Sequence, residues 1–147
     1  MNAPGPIHAL LYRSLATAPL TMDELRRIHA GACARNPELG VTGLLLFSGE
    51  AYVKGEGPGA FTQWLEGPEQ AVRALYERIR ADPRHTDVCT EAEGPARALC
   101  GVDGRLFPRW AMGLEFPEVL PATLPAFLTY YDERVGRGRR GSTTAPW

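Results

Sequence analysis

The sequence predicts an α+β fold in which short apolar strands and amphipathic helices follow one another as β-α-β-β-α-β, with one more strand and a helix at the end. Three observations carry this. Apolar runs of strand length stand at residues 7–14, 41–47 and 60–66. Val72, Leu75, Tyr76 and Ile79 recur at i, i+3, i+4 and i+7, the spacing of one helix face. A capping signal or a proline bounds each helix-forming stretch. At 147 residues, 44% hydrophobic and 22% charged, the chain suits one domain with a core of its own.

In residues 7–14 (IHALLYRS) one face carries His8, Leu10, Tyr12 and Ser14, the other Ile7, Ala9, Leu11 and Arg13. Pro19 breaks the chain, and Thr21 with Glu24 has the form of a capping box. The threonine oxygen accepts from a free backbone N–H while the glutamate reaches back to another. The helix that follows puts Leu25, Ile28 and Ala32 on one stripe. It is expected to end near Asn36-Pro37, because the residue before a proline disfavours helical backbone. Residues 41–47 (VTGLLLF) form a second strand and residues 60–66 (AFTQWLE) a third. In the third, Phe61, Gln63 and Leu65 share one face, and Thr62, Trp64 and Glu66 the other. Gly67-Pro68-Glu69 starts the second helix, since proline at the first helical position gives up only an N–H that has no partner there. Asp82-Pro83 ends it.

Residues 86–90 are expected as a fourth strand, and residues 91–105, rich in Gly and Ala, as a loop or short broken element. Residues 106–114 (LFPRWAMGL) are the last strand, with Trp110 and Met112 on one face and Pro108 marking an edge or a late start. Leu124, Phe127, Leu128 and Tyr131 line a final helix. Residues 136–147 are Gly/Arg-rich and are expected to be a disordered tail. This order of elements is the ferredoxin-like one, an antiparallel sheet with two helices packed on one face.

A net charge of −1 gives no global electrostatic reason to expect nucleic acid or a membrane as partner. Cys33, Cys89 and Cys100 are odd in number and scattered, which suits reduced thiols rather than a disulfide framework or a zinc site. Residues 1–6 lack the basic and apolar regions of a signal peptide, and the longest apolar stretch, residues 43–47, is too short to span a bilayer. A cytoplasmic protein is expected. His8, His29 and His85 show no metal spacing, and His29 is expected in solvent on the first helix. Glu66 and Asp82 are expected as cap and surface charges rather than an acid–base pair, and G-E-G-P-G as turn material rather than a phosphate cradle.

Periodicity places three polar side chains inside: Tyr12 and Gln63 on strand faces among apolar neighbours, and Asn36 at the close of the first helix. A buried amide without partners costs about 1–3 kcal/mol, so Gln63 must meet complementary donors and acceptors. On pattern alone, a bond to backbone or an uncovered sheet face would serve as well as a ligand.

Five segments narrow this. The chain contains Y-R-S-L-A from Tyr12, N-x-x-x-G-V-T-G-L-L-L-F from Asn36, and F-T-Q-W-L-E-G from Phe61. It continues with V-x-x-L-Y-x-x-I-x-x-D-x-R-H-x-x-V from Val72 and F-P-R-W-A-M-G from Phe107. Together, over residues 7–114, they resemble the BLUF family of flavin photoreceptors. The resemblance implies FAD, with FMN as an alternative, held between the two helices. It makes Tyr12 the electron donor and Gln63 the switch, and sets Asn36 against the ring carbonyls with Ile28 and Ile79 sandwiching the ring. Arg84 and His85 would lie toward the ribityl-phosphate, and Trp110 with Met112 would form the last-strand pair linked to signalling state. Apolar isoleucines suit the faces of an isoalloxazine, and amides suit its edge. Light-driven transfer of an electron and proton from Tyr12 would let the Gln63 hydrogen bonds rearrange, and that rearrangement would be the signal.

The chain departs from the family in three places. Residues 48–59 lengthen the usual hairpin, and A-Y-V-K-G-E-G-P loosely echoes A-F-T-Q-W-L-E-G-P, so two registers compete. The nearer one would put Lys54 where the glutamine belongs, a buried charge, so the register that keeps Gln63 is expected. Residues 88–105 are also long, and Ala32 stands where some relatives carry a hydroxyl. The expected organisation is a flavin-binding unit at residues 1–115, a helical extension at 116–135 and the tail at 136–147. It would not be an enzyme, and would signal to a separate protein or through a homo-oligomer, without membrane or direct nucleic-acid binding. A flavin-free interaction module of the same fold is the alternative. A small enzyme of that fold finds neither phosphate cradle nor metal set in the sequence.

Overall fold

A computed structural model describes residues 6–49, 58–101, 104–108 and 112–135. Its elements run β1 (His8–Ala16), α1 (Met22–Leu39), β2 (Thr42–Ser48), β3 (Ala60–Gly67), α2 (Glu69–Ala81), β4 (His85–Pro95), α3 (Ala96–Cys100), β5 (Gly113–Glu115) and α4 (Leu124–Val135). The five strands form one sheet in the order β4-β1-β3-β2-β5. Each neighbouring pair among the first four is antiparallel, as the ferredoxin-like pattern requires, and β5 adds to the β2 edge in parallel, so the sheet is mixed.

Strand alternation sorts the core into two layers. Leu10, Tyr12, Leu45, Phe61 and Leu65 face one way and pack with Leu25 and Ala32 of α1 and Val72, Leu75 and Tyr76 of α2. Ala9, Leu11, Leu44, Leu46 and Trp64 face the other way and pack with Ala96 and Cys100 of α3, Leu106, Phe107, and Phe127 and Tyr131 of α4. Both faces are therefore covered. The capping box at Thr21 and Glu24 forms as the sequence predicts, with both reciprocal bonds present.

Four expectations are corrected. The first helix does not end at Asn36 but runs through Pro37 to Leu39. Only two helical residues remain beyond the proline, and Gly40, in the left-handed region at φ 71°, caps the helix. The N–H of Val41 returns to the Asn36 carbonyl at 3.0 Å. The fourth strand is not confined to residues 86–90, because β4 follows β1 along its whole length. Two register shifts let it do so, and Asp87, with φ 52°, sits at one of them. Residues 91–100, within the stretch expected as a loop or short broken element, give the end of β4 and then the short α3. Among the described residues the last strand is Gly113–Glu115 rather than the expected 106–114, since the N–H groups of Leu106 and Phe107 turn to the Glu66 side chain of β3.

Candidate functional site

The register resolves the choice between the two echoing segments. Gln63 stands opposite Tyr12 on β1 and opposite Leu45 on β2. Lys54 lies outside the described residues, as do Trp110 and most of the long hairpin.

Because Tyr12 and Gln63 are directly paired across two strands, their side chains leave the sheet side by side on the α1/α2 face. The Tyr12 hydroxyl donates to Gln63 Oε1 at 2.5 Å. The Gln63 amide N–H in turn points at Met112 Sδ, 3.2 Å away. All three residues are buried, at 0%, 6% and 3% exposure. The result is a polar chain, phenol to amide to thioether, enclosed by hydrocarbon. Burial is the main force that pushes the Tyr12 phenol far above its ordinary value, with Tyr76 and Asp82 adding to it, so the hydroxyl keeps its proton across the working pH range. The donor to Gln63 is thus always present.

Tyr12 is boxed by rings. Tyr76 lies 5.3 Å away between centroids and His85 6.2 Å away, nearly edge-on. Tyr76 shares a 2.6 Å hydrogen bond with Thr90 of β4. His85 sits within hydrogen-bond reach of the Ser14 hydroxyl at 2.8 Å and packs on Phe61 at 4.6 Å. Burial holds its imidazole below the ordinary range, partly countered by Asp82. Arg84 instead turns outward and grips Asp82, donating from Nε and from the terminal nitrogen.

The α1 side supplies the remaining residues expected at the site. Asn36 is fully buried, and Ile28 of α1 and Ile79 of α2 are half-buried against the same core. α2 lies closely on β1, β3 and β4, whereas α1 makes fewer close backbone approaches to the sheet. That asymmetry suits a flat group beside Gln63, with isoleucines at its faces and amides at its edge. Arg35 fits the same use: its Nε is buried without a hydrogen-bond partner among the described residues. It stands at i+7 from Ile28, one residue before Asn36, so the helical period marks it as inward-facing. Gly43 leaves room beside Met112, where an added Cβ would fall 3.4 Å from its methyl and 1.9 Å from the Trp64 carbonyl oxygen.

Two further groups carry roles unlike those expected from the sequence. His29 is not in solvent: its Nε2 lies 2.6 Å from the Met112 carbonyl oxygen, because α1 crosses the start of β5. Glu66 is not a surface or cap charge but is 0% exposed on the opposite sheet face. It accepts from Trp64 Nε1 at 2.9 Å, from the N–H groups of Leu106 at 2.8 Å and Phe107 at 2.6 Å, and from Thr42 Oγ1 at 3.2 Å. Burial pushes its carboxyl upward, opposed by the Trp64 indole, the N–H groups of Phe107 and Leu106, and the Arg105 guanidinium.

No three His, Cys, Asp or Glu among the described residues converge as a metal site, and no described helix is long and apolar enough to cross a membrane. Comparison with known proteins agrees with the geometry. The model of the family "sensors of blue-light using FAD" matches residues 7–113. Photoactivated adenylate cyclase subunit beta of Euglena longa is 40% identical over 117 residues, which is 79% of this chain but 12% of that protein. The blue light- and temperature-regulated antirepressor BluF of Escherichia coli is 35% identical over 79 residues, 54% of this chain and 17% of that one. This chain therefore spans less than a fifth of these curated relatives. Among solved structures, the dark state of the BLUF protein BlrB superposes with a TM-score of 0.64 at 29% identity, covering 85% of this chain and 83% of that one. A bacterial light-regulated adenylyl cyclase gives 0.61 at 26%, covering 90% of this chain and 35% of the other. With a family match over most of its length, the chain belongs to the BLUF family of blue-light sensors.

Proposed function

We propose that this chain is a blue-light receptor module that binds FAD non-covalently between α1 and α2 and signals by rearranging the hydrogen bonds of Gln63. The observation that carries the reading is the buried chain from the Tyr12 hydroxyl through Gln63 to Met112. Asn36, Arg35 and Gln63 would meet the polar edge of the flavin, and Ile28 and Ile79 its faces. His85 would close the Tyr12 end, with Arg84 nearer solvent. The family name specifies FAD, while one similar solved structure, Klebsiella pneumoniae BlrP1, was solved with FMN; FAD is the ligand proposed here.

When bound, the flavin supplies the absorption of blue light and, once excited, an oxidant able to take an electron from a phenol. The protein's part follows from its own bonds. Losing an electron makes the Tyr12 hydroxyl strongly acidic, and its proton has a prepared path to Gln63 Oε1; electron and proton would both return to Tyr12 on recombination, so that only the hydrogen-bond pattern is changed. An amide can offer oxygen or nitrogen on either side, so Gln63 can exchange its partners without moving β3. Met112 is the partner that changes, and it stands one residue before β5. Trp110 would share that change.

Residues 1–115 would form the sensing unit and residues 116–135 its helical extension, acting in the cytoplasm. Output would pass to a separate signalling protein or through a homo-oligomer, consistent with relatives in which the matching region is a small part of a larger regulator. The absorption spectrum of the purified chain in the dark and after blue light tests the reading. A yellow protein whose flavin band shifts to the red and then recovers is expected. A colourless protein that takes up no added flavin would sink it and leave a flavin-free interaction module.

A further inference from the structure

Met112 is held at both ends. Its side chain receives the Gln63 amide, and its backbone carbonyl faces α1. There His29 and Cys33, one turn apart, converge on the same oxygen. His29 Nε2 stands 2.6 Å from it, and Cys33 Sγ 3.5 Å from it and 3.4 Å from the imidazole nitrogen. A carbonyl oxygen only accepts, so the ring must carry a proton on Nε2. Both side chains are partly buried, where a hydrogen bond is less diluted by water than at the surface. The next residue, Gly113, begins β5 and pairs with Leu44 of β2. The bond therefore fixes the peptide at which the chain enters the sheet.

We propose that His29, with Cys33 beside it, is a positioning residue for the switch: it ties the Met112 carbonyl to α1 and so keeps Sδ on the Gln63 amide. α1 would then contribute twice, with the Ile28–Ala32–Asn36 stripe toward the ligand and the His29–Cys33 stripe toward the output strand. Its effect on the light response rests on the Gln63 reading above; the positioning itself does not.

The three methionines make the test direct, since methyl-13C methionine labelling gives three methyl signals and Met112→Leu identifies the relevant one. Dark spectra of the full chain are compared for wild type, His29→Leu and His29→Gln, whose amide N–H can occupy the place of Nε2. The Met112 signal is expected to move and broaden in His29→Leu and to return in His29→Gln. Lit-state recovery is expected to be up to about fivefold slower in His29→Leu, equivalent to about 1 kcal/mol for one lost hydrogen bond that holds the dark arrangement, and near wild type in His29→Gln. Should His29→Leu fail to fold, His29→Asn, polar but too short to reach, replaces it. A Met112 signal unchanged in the variant that lacks the bond overturns the proposal, as does His29→Gln behaving like the leucine. A wild type without any light-induced shift would overturn the Gln63 reading, and the methyl spectra would still decide the role of His29.

Discussion

Gln63 and Glu66, buried polar residues three positions apart on β3, point to opposite faces of the sheet and are treated in opposite ways. Gln63, on the α1/α2 face, is neutral and has one acceptor and one donor engaged, with Tyr12 and Met112. Glu66, on the α3/α4 face, has both carboxylate oxygens occupied by donors from β2, β3 and the 106–107 segment. Around Glu66 the packing is aromatic and close. Trp64 stacks on Phe127 at 5.3 Å and 8°, Phe107 meets Tyr131 edge-on at 5.3 Å, and the Tyr131 hydroxyl donates to the Leu106 carbonyl. An amide with two interchangeable ends can rearrange at small cost, whereas a carboxylate with every lone-pair direction claimed cannot. One face is built to change and the other to stay. Met112, a few residues beyond the Glu66-bound segment, lies where the fixed part ends.

The sharpest way to break this contrast is Glu66→Ala. It leaves the Trp64 indole, two backbone N–H groups and the Thr42 hydroxyl facing a cavity. A loss of about 3–5 kcal/mol in urea unfolding is expected, the range for removing one partner from a buried charged network. Glu66→Gln keeps one acceptor oxygen and should lose less. A drop under about 1 kcal/mol for the alanine variant, the size of an ordinary surface change, would mean that Glu66 does not anchor the 106–107 segment.

How far the sequence carries follows the same division. Strand alternation is enough to put Tyr12 and Gln63 each on an apolar face of its own strand, because that property is local to each strand; that the two meet comes from the pairing of β1 with β3. The capping box and the i, i+3, i+4, i+7 stripe fixed α1 and α2 for the same reason. Rejecting the register that would bury Lys54 required only the cost of a buried charge. Glu66 escaped, since alternation shows which face it occupies but not that Phe107, Phe127 and Tyr131 close over it from far along the chain. His29 escaped likewise: a histidine on a polar helix stripe looks solvated until residue 112, distant in sequence, is brought against it. The apolar character of residues 106–107 predicts strand, although their N–H groups serve a carboxylate instead. What was missed is long-range pairing, which composition and period do not encode.

On the first face the expected effects divide differently between stability and response. Gln63→Leu conserves volume and removes two neutral hydrogen bonds, so unfolding should shift by only about 1–2 kcal/mol. The light-induced red shift should nevertheless vanish while flavin stays bound. Tyr12→Phe should do the same, as both remove the one bond that joins donor to switch. A Gln63→Leu protein that still shifts to the red would detach the response from this residue. A loss as large as that of Glu66→Ala would erase the distinction between the two faces.

Acid should produce the smallest effect, and it should start on the first face. His85 packs on Phe61 and lies within hydrogen-bond reach of Ser14, with its imidazole held below the ordinary value chiefly by burial. Below about pH 6.5 the unfolded chain therefore takes up a proton that the folded chain resists, so stability falls as the pH drops through that value. Asp82 and Glu93 are held low by their partners, and their contributions fade only nearer pH 4. Between pH 7 and 5.5 Asp82 and Glu93 are thus nearly silent. Melting temperatures over that interval should decline less steeply in His85→Gln, which keeps an amide near Ser14 but cannot take up the proton. An equal decline in both proteins would move the acid-sensitive point away from the Tyr12 end of the site. A flatter one would show that even the small, titratable part of the molecule's stability lies on the face that changes.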